Sequence, residues 1–123
     1  MDDIIPPDVR EFIIKHIDTV SELEALLILR ANPDEYWGQD RLAARVYVSE
    51  REIAEMLKRF MTQAFLERKE GQYRYNRNAP ADRIINDLAR CYASHLIPIT
   101  NMIHGKPRSM RSFSDAFKLR RDP

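Results

Sequence analysis

Cys91 and His95 stand four residues apart in a stretch of helical spacing, which would set a thiol and an imidazole on one helix face as two ligands for a metal ion. Two ligands do not close a site, and the single cysteine leaves neither a thiolate pair for zinc nor a partner for an intramolecular disulfide. His16 and His104 belong to no local ligand pattern. The chain contains no glycine-rich phosphate loop and no nucleophile–base spacing, and its carboxylates are scattered over what should be solvated helix faces. The expected chemistry is therefore binding rather than catalysis, with no cofactor and no metal.

Charge gives the first hint of what is bound. The net charge is only +1, but residues 1–60 hold 8 Lys/Arg against 13 Asp/Glu, and residues 61–123 hold 12 against 6. Either the second half meets an anionic partner, or the halves attract each other, within one chain or between copies. A chain of 123 residues, 44% hydrophobic and 32% charged, has the size and composition of one globular domain. Three glycines are few for that length and favour helices over a strand-rich fold. No segment reaches the roughly 18 apolar residues of a membrane span, and the acidic start MDDII is unlike a signal peptide's basic region. A cytoplasmic location is expected.

The elements that must carry the binding residues follow from local patterns. Pro6-Pro7-Asp8 starts a helix, with Val9, Phe12, Ile13, His16 and Ile17 at helical spacing. Thr19 and Glu22 have capping-box form before an apolar helix, Leu23 to Arg30, which Asn32-Pro33 stops. Tyr36-Trp37 reads as a stub of strand and Gln39 to Val46 as a short helix. Ser49 and Glu52 form a second capping box, opening a helix to about Gln63 with Ile53, Met56, Leu57, Phe60, Met61 and Ala64 as its buried stripe. Residues 65–76 read as a β-hairpin turning at Glu70-Gly71, with Tyr73 and Tyr75 on one face.

Pro80 opens a long helix over about 81–104. Ile85, Leu88, Tyr92, His95, Ile99 and Met102 fall at alternating three- and four-residue steps along it, the seam of a coiled coil, and so predict a homodimer. Pro98 predicts a kink or break near residues 94–98. The last segment, 106–123, is a basic tail with a short helix expected at Ser114 to Arg120. Met110, Phe113 and Phe117 would share a face there, beside Lys106, Arg108, Arg111, Lys118, Arg120 and Arg121. The phenylalanines either dock on the domain or its partner subunit, or the tail meets nucleic acid or a membrane surface.

Residues 42–60 read LAARVYVSEREIAEMLKRF. Ala43 permits a close helix crossing, Val48 plugs the junction and Ser49 caps the second helix. Followed directly by FLERKEGQYRYN, this resembles the winged helix-turn-helix of bacterial transcriptional regulators, over roughly residues 20–78. The ending SFSDAFKLRR resembles the tail of some bacterial winged-helix proteins, a likeness that implies no activity.

The resemblance implies a mostly helical α+β fold. One winged-helix domain would span 1–105, with the helix-turn-helix at about 39–63 and the wing at 65–76. It implies a dimeric transcriptional regulator that binds duplex DNA. By that likeness Ser49, Arg51, Glu52, Glu55 and Arg59 would face DNA from the second helix, and Arg68, Lys69, Arg74 and Arg77 from the wing. Two departures stand out. Tyr47 occupies the turn position where glycine is common. Glu50, Glu52 and Glu55 fall along the front of the second helix, where carboxylates oppose the phosphate attraction that dominates affinity. The alternative is a winged-helix module for protein–protein recognition, its acidic helix turned to a basic partner.

Overall fold

Helix boundaries in the computed structural model, which describes residues 5–107, follow the local chemistry of the chain. The described residues form six helices and one two-stranded antiparallel sheet. They fall into two compact units, Ser21–Asn86 and residues 5–20 with 87–107.

In the first of these units, α2 (Val20–Ala31) begins directly after Thr19, and Leu23, Leu26 and Leu29 on it are fully buried. Helices α3 (Gln39–Val46) and α4 (Glu50–Thr62) follow, joined by a three-residue turn. Ser49 caps α4, its hydroxyl oxygen accepting the Glu52 N–H at 3.1 Å. Ile53, Met56, Leu57 and Phe60 are the buried stripe of α4, whereas Met61 is half-buried and Ala64 exposed. Ala64 lies beyond the helix end in the left-handed region, φ 62°.

Both helices end in the same way. After α3, Tyr47 is left-handed (φ 61°, ψ 47°) and the Val48 N–H returns to the Ala43 carbonyl. After α4, Ala64 is left-handed, its N–H reaches Met61 O, and Phe65 N–H reaches Phe60 O. These are Schellman-type stops built without glycine, each costing about 1–2 kcal/mol of backbone strain. The Phe60 and Phe65 rings, with centroids 6.0 Å apart, supply the hydrophobic contact that accompanies such a stop.

Strands β1 (Leu66–Lys69) and β2 (Gln72–Tyr75) pair in the register Leu66↔Tyr75, Glu67↔Arg74, Arg68↔Tyr73 and Lys69↔Gln72. Positive φ at both Glu70 and Gly71 makes the two-residue turn of the type whose twist suits a hairpin. The strand stub is present as a single bridge: Trp37 N–H donates to Tyr73 O at 2.7 Å, and Tyr73 N–H to Trp37 O at 2.9 Å. Tyr75 is buried and donates its hydroxyl to Asp82 at 2.5 Å. Asp82 also accepts from Asn86, which in turn accepts from Arg30 Nε, so one polar chain ties β2 to the end of α2 and to the helix that starts at Asp82. Burial and the Asp82 carboxylate push the Tyr75 phenol well up.

The long helix expected over 81–104, with a kink or break near residues 94–98, is two helices, α5 (Asp82–Ser94) and α6 (Leu96–His104), with His95 between them at φ −136°, ψ 54°. Pro98 accounts for the break. It has no N–H for the Ser94 carbonyl, and its ring crowds the preceding turn. In the first turn of α6 that missing donor costs nothing. The break divides the expected seam between the two helices. Ile85, Leu88 and Ile99 are fully buried within one chain, and Tyr92, His95 and Met102 are half-buried. The large apolar side chains left exposed on α6 are Leu96 (50%) and Ile97 (63%).

In the second unit, α1 (Pro7–His16) buries Val9, Phe12 and Ile13, with Pro7 and Asp8 in its first turn. Its C-terminal end is capped from far along the chain. The ammonium of Lys106, 2% exposed, donates to Ile13 O (3.4 Å), Ile17 O (2.7 Å) and Asp18 Oδ1 (2.9 Å). All three N–H donors are used, and a cation sits where the helix presents its negative end. Lys106, expected among the cations of the basic tail, is therefore a structural group; the rest of the tail's expected face lies outside the described residues. No described helix is long and apolar enough to cross a membrane.

Two predictions follow from these contacts. Ser49→Ala should lower stability by about 1 kcal/mol in urea denaturation, since the Glu52 N–H loses its acceptor. His16 has its pKa lowered by burial, then by Lys15 and Lys106. The unfolded chain therefore binds the proton more readily, and stability should fall as pH drops below about 6.5. The urea midpoint should be lower at pH 5.5 than at pH 7.5, and His16→Asn should reduce that difference.

Candidate nucleic-acid interface

On a helix with 3.6 residues per turn, the line opposite the buried stripe of α4 passes through positions 51, 55, 58 and 62. Arg51, Lys58 and Thr62 are exposed there and Glu55 is half-buried. Glu50 and Glu52 lie to either side of this line, so the front of the helix carries two cations with one carboxylate between them. It is less acidic than the order of residues in the sequence suggests. Ser49 is exposed but committed to the cap. Tyr47, at the turn, is 92% exposed in its strained conformation.

Arg59 does not face outward as expected. Its Nε (3.2 Å) and Nη2 (2.6 Å) both reach Glu22 Oε2, and the Glu22 side chain is entirely buried. A carboxylate withdrawn from water needs a cation, and Arg59, one-third exposed, supplies it from the flank of α4.

Arginines in and just after the hairpin are also engaged. Arg74 makes two contacts to Glu67 Oε1, directly across the hairpin, at 2.9 and 3.1 Å, and lies over the Tyr36 ring at 4.6 Å. The bond to Glu67 is the main reason its pKa rises further. Arg77 pairs with Asp34 at 2.9 Å. Arg68 lies 5.6 Å over the Tyr73 ring, and Lys69 is exposed beside the turn. Of the expected cations, Arg51 and Lys69 have no partner among the described residues. It adds Arg45 on α3 and Lys58 on α4, which the sequence reading did not include.

Some of this was available from the sequence. A two-residue turn at Glu70-Gly71 forces position 67 opposite 74, so the Glu67–Arg74 pair follows from the hairpin alone. Tyr36, Asp34 and Glu22 act across tertiary contacts and leave no such local signal. Cys91 is buried, which pushes its thiol pKa up and away from thiolate chemistry. Among the described residues no three His, Cys, Asp or Glu groups come together as a metal site.

Compared with protein-family models, curated proteins and solved structures, the chain matches none.

Arg59→Met should destabilise the protein by about 3–5 kcal/mol, because Glu22 then stays buried without a partner. Denaturant unfolding tests this. A loss under 1 kcal/mol would mean that Glu22 reaches water or another cation.

Proposed function

We propose that this chain is a winged-helix protein that binds duplex DNA, in the manner of a transcriptional regulator. The observation that carries the reading is the reciprocal Trp37–Tyr73 bridge. It joins the stub between α2 and α3 to β2, so that a helix, a strand stub, two helices and a hairpin follow one another around a small sheet. The left-handed turn at Tyr47 and the cap at Ser49 support the helix-turn-helix within it.

In this reading α4 enters the major groove with Arg51, Glu55, Lys58 and Thr62 foremost. Arg45, Arg68 and Lys69 supply further phosphate contacts. A homodimer through the seam from Ile85 to Met102 would have to use Tyr92, His95 and Met102, because Ile85, Leu88 and Ile99 are already buried in one chain.

Recognition of a basic protein surface is the second reading. It is favoured by the exposed Tyr47 ring, the kind of aromatic that anchors an interface, in the turn just ahead of a helix whose first turn carries Glu50 and Glu52.

Anisotropy titration on a pool of mixed duplexes at about 50 mM salt, where electrostatic binding is strong, separates the two. DNA binding should appear there. Lys58→Gln and Lys69→Gln should each lower the slope of log affinity against log salt by about 0.9. Arg51→Gln should change sequence preference if its guanidinium reaches a base edge. Absence of binding at low salt, by the wild type and by variants that neutralise Glu67 or Asp34 alike, would end the DNA reading and leave the protein-recognition one.

A further inference from the structure

Two ion pairs stand side by side at the base of the hairpin. Arg74–Glu67 and Arg77–Asp34 line a cleft of about 140 Å³ together with Pro33 and Asn78. Two guanidinium groups turned to one concavity suit a phosphodiester, whose oxygens accept paired N–H bonds as a carboxylate does. Here two carboxylates of the same chain already occupy those donors. We propose that Asp34 and Glu67 are built-in competitors for a backbone phosphate of duplex DNA. Arg77 and Arg74 reach that phosphate by exchanging partners. The inference rests on the DNA-binding reading and adds to it a device that holds affinity down.

Exchange is inexpensive. The side chains of Asp34 and Glu67 are 87% and 42% exposed, and ion pairs so open to water contribute little. Arg74 would also keep its orientation without Glu67, because the Tyr36 ring lies under the guanidinium independently of the carboxylate. The wing therefore presents a prepared arginine with a counter-ion that is easily removed. It is neither a bare cation nor a locked pair.

Glu67→Gln and Asp34→Asn remove the competitors, keep the side-chain shapes and act at exposed positions. Glu70→Gln, at the hairpin turn, is the control for simple loss of negative charge. On the mixed duplex pool at low salt, Glu67→Gln and Asp34→Asn should each tighten binding by about two- to fivefold. Glu70→Gln should give a clearly smaller gain. In an Arg74→Gln background the gain from Glu67→Gln should fall to that of Glu70→Gln. Equal gains at 67 and 70, or a gain at 67 that persists without Arg74, would overturn the proposal while leaving DNA binding intact. Wild-type binding that neither Glu67→Gln nor Asp34→Asn alters would overturn it in the same way. If neither the wild type nor any variant binds, the proposal and the DNA reading fail together. Binding by Glu67→Gln and Asp34→Asn without binding by the wild type would support the competitor role in its strongest form.

Discussion

A carboxylate with no access to water has to be met by a positive charge, and Glu22 is met by Arg59. That requirement links α2 to α4 and limits how α4 can rotate about its own axis. With Arg59 drawn toward α2, the apolar stripe from Ile53 to Phe60 faces inward and Arg51 and Lys58 face out. A small rotation would detach the guanidinium and leave Glu22 buried alone, at a cost of several kcal/mol. The outward chemistry of the helix is thus set by an interaction on its flank. Buried pairs of this kind contribute less to net stability than to choosing one arrangement over its neighbours, and here the arrangement chosen is the orientation of α4.

The same interaction marks where sequence reasoning stopped. Thr19 and Glu22 have the spacing of a capping box, which gives the glutamate a local role at the start of its own helix. Nothing within that pattern shows that a residue 37 positions further on turns back to it. Elements with local causes were legible: the Ser49 cap, the hairpin register and the break ahead of Pro98. Turns were harder to read because the usual sign was missing. Tyr47, Ala64 and Glu70 all take positive φ without being glycine, so punctuation normally read from Gly had to be inferred from its surroundings.

Charge distribution was legible as a sum but not as pairs. The excess of cations after residue 60 is met in part by acids from before it, as Arg77 with Asp34 and Lys106 with Asp18. Attraction between the halves of one chain therefore accounts for a share of the asymmetry that would otherwise point outward. Lys69 on the hairpin is left over from that excess, while Arg45, Arg51 and Lys58 on α3 and α4 come from the acidic half and have no partner among the described residues.

Lys106 also orders events in time. Its carbonyl partner on Ile13 lies 93 residues earlier in the chain. During synthesis from the N-terminus, α1 must wait for nearly all of the described chain to emerge before its last turn finds this donor. The unit Ser21–Asn86 is continuous in sequence, and its hairpin and helix pair close over short loops. On a ribosome the helices and hairpin proposed to meet DNA can therefore assemble first. Of the described helices, the earliest translated is among the last to be completed.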